Sequence, residues 1–161
     1  MFEPIPAREG PHGCRLIDGV RMTRSSVPLD QPVQVNCDLA ARQLSFEDDV
    51  VQAAARRHFG QPLARIRHFG GYSCRNETGN SRRLSQHALG NAFDISGFDL
   101  ADGTQITVSR HWNDRGPRGA FLRDVAHGAC RYFHVVLTPR TDAAHRTHLH
   151  LDLGPYRRCD A

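Results

Sequence analysis

The chain has 161 residues, enough for one domain with a core of its own and too few for two of ordinary size. Hydrophobic residues make up 39% and charged residues 24%, with 14 Gly and 9 Pro, which excludes a disordered chain, and no 18-residue apolar run exists to span a membrane as a helix. The formal net charge is +4, and all 21 basic residues are arginine, whose planar forks match carboxylates and phosphates, although a charge of this size identifies no partner alone.

Met1 to Gly13 is polar, lacks the apolar stretch of a signal peptide, and is set apart as an N-terminal tail; residues 14–161 form the domain. A Pro-rich segment up to about Val35 is expected to wrap the domain surface. Ser45-Phe-Glu-Asp48 has the form of a capped helix start, and Val50, Val51, Ala54 and Ala55 supply an apolar stripe that ends at Gly60. Leu63 to Phe69 alternates as a strand does and stops at Gly70-Gly71. A loop rich in Arg, Ser and Asn follows from Tyr72 to Gln86. Asn91 to Ser96 and Thr104 to Ser109 read as a strand pair joined through Asp102-Gly103. Phe121, Leu122, Val125, Ala129 and Phe133 recur at near-helical spacing, which predicts a helix from Gly119 to Phe133. His134 to Leu137 and His148 to Leu153 are the last strands. The predicted architecture is α+β, a single domain with helices on a central, mainly antiparallel sheet.

Cys14, Cys37, Cys74, Cys130 and Cys159 are widely spaced with no CxxC pair, which favours disulfides in an oxidising compartment over a zinc knuckle. One cysteine is left over, and the pairing depends on separations that the sequence does not supply. A periplasmic or exported location is the expectation.

The chemistry-bearing signal is His148-Leu-His150-Leu-Asp152-Leu. Strand alternation puts the three polar groups on one face and the leucines on the other. Upstream, Ser85-Gln-His87-Ala-Leu-Gly90-Asn-Ala92-Phe-Asp94 places a histidine and an aspartate seven residues apart, with Gly90 permitting a turn between them. Together these stretches offer two imidazoles and a carboxylate. Three such donors leave zinc's fourth position open for water, as catalytic sites do and structural sites do not.

This pattern resembles the zinc-peptidase superfamily that groups lysostaphin-type enzymes, D-Ala-D-Ala carboxypeptidases and the hedgehog signalling domain. More closely, Gly71-Tyr-Ser-Cys-Arg75, Phe121-Leu-Arg-Asp-Val125, Ala129-Cys-Arg131 and Ala144-His-Arg-Thr-His-Leu-His-Leu-Asp152 are similar to the bacterial extensin-like C-terminal domain, over roughly Cys14 to Cys159. The resemblance implies a zinc ion on His87, Asp94 and His150, with His148 as general base and His145 as a transition-state donor. The carboxypeptidase branch places a glutamate just before the final histidine, whereas the only glutamates here are Glu3, Glu9, Glu47 and Glu77. His145-x-x-His148-x-His150 is similar instead to the murein endopeptidase branch. The implied function is hydrolysis of peptidoglycan stem or cross-link peptides, D,D-endopeptidase-like or D,D-carboxypeptidase, by a monomer without nucleic-acid partners. Arg75, Ser85 and Trp112 are the candidate substrate-binding residues, Arg75 because its fork suits a carboxylate.

Three other readings compete. One is a non-catalytic, zinc-stabilised cell-wall binding module. Another is a metal-dependent nuclease, prompted by arginine richness and His111-Trp-Asn113 but lacking a ββα-metal pattern. The last is a cysteine hydrolase on Cys74, which requires a free, activated thiol. His12, His58, His68, His111, His127 and His134 have no partner spacing and read as ordinary surface or core histidines.

Overall fold

A computed structural model describes residues 1–161. In chain order the strands and helices are β1 (Phe2–Pro4), β2 (Arg8–Glu9), β3 (Arg15–Leu16), β4 (Gly19–Arg24), β5 (Pro28–Asn36), α1 (Cys37–Phe46), α2 (Gln52–Phe59), β6 (Leu63–Gly70), β7 (Asn76–Glu77), β8 (Asn80–Leu84), β9 (Ala92–Leu100), β10 (Gln105–Thr107), α3 (Val108–His111), α4 (Pro117–Ala129), β11 (Val135–Leu137), β12 (Leu149–Asp152) and β13 (Arg158–Cys159). Nine strands form one sheet in the order β1-β4-β5-β6-β9-β12-β11-β13, with β10 paired to β9; β2 with β3 and β7 with β8 form two small ribbons. All ladders in the large sheet are antiparallel except β5 with β6 and β11 with β13, so the α+β architecture stands.

The helices cover one face of this sheet. Phe98 on β9 meets Phe121 on α4 edge-on at 5.2 Å, and Phe121 meets Phe59 on α2 at 5.6 Å. Phe46 packs edge-on against Phe133 at 5.4 Å. These rings belong to a core of 31 buried residues that reaches from Val20 to Leu151, as a single domain of this length requires.

The entry of the chain departs from the expected surface wrap. β4 and β5 are full members of the sheet, with Val20, Met22, Leu29, Val33 and Val35 buried. Prolines sit at Pro28 and Pro32, and their φ of about −65° is compatible with strands near a sheet margin. Phe2–Pro4, in the segment set apart as a tail, adds an exposed strand beside β4. The helix predicted from Ser45 begins earlier: Asn36 caps α1, its side chain accepting from Leu39 N at 2.8 Å, and the helix passes through a π-turn at Glu47–Val51 into α2. Ser45 to Asp48 therefore lies inside a helix. Glu47, fully buried, accepts hydrogen bonds there from Ser25, Ser26 and Gln43, tying the β4–β5 turn to the helix. The strand predicted over Thr104 to Ser109 is shorter, because Val108 already opens α3. α4 begins at Pro117, a favoured first helical residue, and ends before Phe133.

Cys14 bonds to Cys74, and Cys130 to Cys159, leaving Cys37 as the free thiol. The first pair fixes the chain immediately before Arg75; the second ties the end of α4 to β13. With Cys74 oxidised, it has no thiolate to offer as a nucleophile. No helix is long and apolar enough to cross a membrane. Replacing Cys130 and Cys159 together by alanine is expected to lower unfolding stability by about 3 kcal/mol, since their link closes a loop of 29 residues in the unfolded chain; urea denaturation at matched pH measures it.

Candidate metal centre

The site is assembled by one strand pairing and one short turn. In the β9–β12 ladder His150 stands directly opposite Asp94, and the adjacent pairs Leu149 with Ile95 and Leu151 with Phe93 turn to the buried face. His87 arrives from a 3-10 turn, Gln86–Leu89, that precedes β9. Ser85 caps this turn, its hydroxyl accepting from His87 N at 3.3 Å, and Gly90 ends it at φ 63°. A Cβ on Gly90 would lie 2.2 Å from Leu16 Cδ1, so both backbone and space demand glycine.

Three donor atoms converge. His87 Nε2 lies 3.3 Å from His150 Nδ1 and 3.1 Å from Asp94 Oδ2, and His150 Nδ1 lies 2.9 Å from Asp94 Oδ1. Two ligands on a tetrahedral cation with bonds near 2.0 Å sit about 3.3 Å apart, so the donors are spaced as such an ion needs. The set is also the one cluster in the chain suited to a metal ion.

The far side of each imidazole is held as well. His87 Nδ1 donates to Gly71 O at 2.7 Å, which leaves Nε2 as the nitrogen facing the cluster. Gly71 is at a point of close approach, where a Cβ would lie 2.5 Å from Gln34 O. His150 Nε2 donates to Asp152 Oδ2 at 2.8 Å, and Asp152 Oδ1 accepts from Gly154 N at 2.8 Å. A carboxylate or carbonyl behind a ligating histidine fixes its tautomer and ring plane, the arrangement common behind bound metals.

Without a metal ion, a proton on His150 offsets one of the two carboxylate charges. Burial disfavours a charged His150, but hydrogen bonds to Asp152 and Asp94 and their negative charge outweigh it and push the pKa up to about 9. Burial likewise opposes ionised Asp94, yet hydrogen bonds from His150 and His87 hold its carboxyl well below the usual range. His150 is thus an imidazolium between two carboxylates, and a cation entering the cluster takes the place of its Nδ1 proton.

His148 stands just before β12, its Nε2 3.8 Å from Asp94 Oδ1, beside exposed Phe69 at 5.7 Å between rings. Burial is the main cause that lowers its pKa, the neighbouring histidines add to it, and Asp94 opposes. His145 packs 5.3 Å from His148 and 5.9 Å from His150, and its Nδ1 is held by Asp142 at 2.8 Å. That hydrogen bond depresses the Asp142 pKa. His87, Asp94, Asp142, His145, His148, His150 and Asp152 line one cleft of about 530 Å³, together with Arg75 and Ser85.

Trp112 is the exception among the candidates. It is 5% exposed and lines a separate depression with Asn113 and Arg146, which shares only Asp142 with the histidine cleft. α3 and the following turn draw it inward, where its carbonyl accepts from Arg123 Nη1 at 2.8 Å. Ser85 reaches the cleft wall while capping the His87 turn, so it orients a cluster residue. Sequence reasoning left three residues without roles: Asp152, present in the same alternating run; Asp142, whose short side chain caps the turn at Ala143–His145; and Gly71, whose carbonyl carries no sequence signal.

A family model described as the extensin-like protein C-terminus matches residues 1–160, and the chain belongs to that family. No curated protein and no solved structure matches it.

Asp152→Asn preserves the shape of the acceptor and removes its charge, so the His150 pKa is expected to fall in an NMR titration of the chain in chelator. A pKa raised from 6.5 stabilises the fold below about pH 6.5, and that contribution disappears as pH rises through about 9. Urea midpoints should therefore decline between pH 7 and 10 in the wild type and less steeply in the variant.

Proposed function

We propose that this chain is a zinc-dependent hydrolase of bacterial cell-wall peptides, with His87, Asp94 and His150 as the metal ligands. The observation that carries the reading is the convergence of two imidazole nitrogens and a carboxylate within 3.3 Å of one another, each imidazole backed by an acceptor. Nitrogen and oxygen donors in a set of three suit catalytic zinc better than structural zinc, which takes four protein ligands. Bound there, zinc would supply Lewis acidity, polarising an amide carbonyl and acidifying a water molecule.

The chain's own residues supply the proton chemistry. His148, kept neutral by burial, takes a proton from the attacking water at Nε2. It returns that proton to the amide nitrogen as the C–N bond breaks, releasing a carboxylic acid and an amine. His145, aimed by Asp142, donates towards the oxygen that gains charge in the transition state. Arg75 at the cleft wall is placed to hold a substrate carboxylate. The absence of a glutamate near the final histidine favours an endopeptidase over a carboxypeptidase. Two disulfides fit the oxidising compartment in which such a substrate lies.

Metal analysis beside a digest of purified peptidoglycan, read by mass spectrometry, tests the proposal. Alanine at His87, Asp94 or His150 should abolish zinc and hydrolysis together. His148→Ala should retain zinc and lose rate by roughly 10²-fold or more. Loss of zinc from His148→Ala would overturn its role as base, and a zinc-loaded wild type that cleaves no peptide bond would overturn the hydrolase in favour of a binding module.

A further inference from the structure

The charged side chains of the cleft are unevenly paired. Four acids line it, and each has a cationic or protonatable partner: Glu77 has Arg83 at 3.0 Å, Asp142 has His145 at 2.8 Å, Asp94 has His87 and His150, and Asp152 has His150. Four arginines line it too. Arg83 is taken by Glu77, and Arg158 by Asp160 at 2.7 Å. Arg75 and Arg157 have no ion pair and no side-chain hydrogen bond, and both are exposed. Two exposed guanidinium groups without a partner therefore remain among the residues that line the cleft.

Both stand on braced backbone. Arg75 follows the disulfide-bonded Cys74, and its carbonyl accepts from Ser85 N at 3.1 Å. Arg157 lies between Tyr156 and β13, where Arg158 N donates to His134 O at 2.9 Å. The segments carrying the two arginines meet where the Arg83 guanidinium stacks over the Tyr156 ring, 4.3 Å from its centroid. A braced backbone fixes where each arginine fork can reach, and a fork pairs a carboxylate through two parallel hydrogen bonds.

We propose that Arg75 and Arg157 form a two-point grip that selects peptides bearing two free carboxylates, one for each fork. The grip rests on the reading of the cleft as a peptide-binding site, but needs neither the metal nor cleavage. It makes Arg157 a specificity-determining residue, and it makes a neutral peptide a poor ligand whatever its length.

Calorimetric titration of the full chain in chelator, so that no hydrolysis intervenes, tests this. The probes are an N-acetylated pentapeptide with one internal side-chain carboxylate and a free C-terminus, its two singly amidated forms, and its doubly amidated form. In the wild type each amidation should weaken binding roughly tenfold. Arg75→Ala should become indifferent to one amidation and Arg157→Ala to the other, while the corresponding lysine variants recover part of the discrimination. Unchanged melting temperatures are the control that both variants fold. The proposal is overturned if the wild type binds none of the four peptides or all four equally. It is also overturned if Arg157→Ala discriminates as the wild type does, or if both variants lose sensitivity to the same carboxylate. A separate assay with zinc distinguishes the two claims: carboxylate-dependent binding without cleavage sinks the hydrolase and leaves the grip standing.

Discussion

The register of β12 against β9 is the constraint from which the rest follows. Setting His150 opposite Asp94 and Leu149 and Leu151 opposite Ile95 and Phe93 buries the apolar side chains and gathers the polar ones in a single step. A slip of one residue would drive His150 and Asp152 into the core and the leucines into the cleft. The hydrophobic energy that holds the sheet together therefore also holds the cluster together, at about 25 cal/mol per Å² of apolar surface removed from water. Ala92, opposite Asp152, presents only a methyl group at that rung of the ladder.

A buried group of two carboxylates and two imidazoles is costly unless its charges balance. A proton on His150, held between Asp94 and Asp152, offsets one of the two negative charges, and a divalent cation in the cluster would offset both. The outward nitrogens are occupied by Gly71 O and Asp152, so the nitrogens that meet at the centre are the ones left for a cation or a proton. Preparing both rings in this way means that little reorganises when a metal cation takes the place of the His150 proton.

Around this centre the fold builds a frame with a buried side and an open side. The helices α1, α2 and α4 and the edge-to-face contacts of Phe59, Phe98 and Phe121 brace the sheet from behind. On the open side the walls are the β7–β8 ribbon and the segment before β13, held by the Cys14–Cys74 link and by Arg83 against Tyr156. A local unit with so few buried side chains needs such staples, because its own burial is too small to order it.

Much of this was legible in the residues. The alternation of His148 to Leu153 fixed a strand and its two faces, the spacing of His87 and Asp94 with Gly90 between them marked a turn into a strand, and the aromatic and aliphatic spacing of α4 marked a helix. These are local patterns, set by the two-residue and 3.6-residue periods of the backbone. Other features depend on contacts between distant segments, which no local period encodes. They include the membership of β4 and β5 in the sheet, the choice of cysteine partners, the backbone acceptor behind His87, and the placing of Trp112 away from the cleft. The pairing of Arg83 with Glu77 and Tyr156, which leaves Arg75 and Arg157 free, is of the same kind. The sequence by itself determined which side chains could share a face; only the tertiary structure decided which faces meet, because that choice is made by burial summed over the whole core.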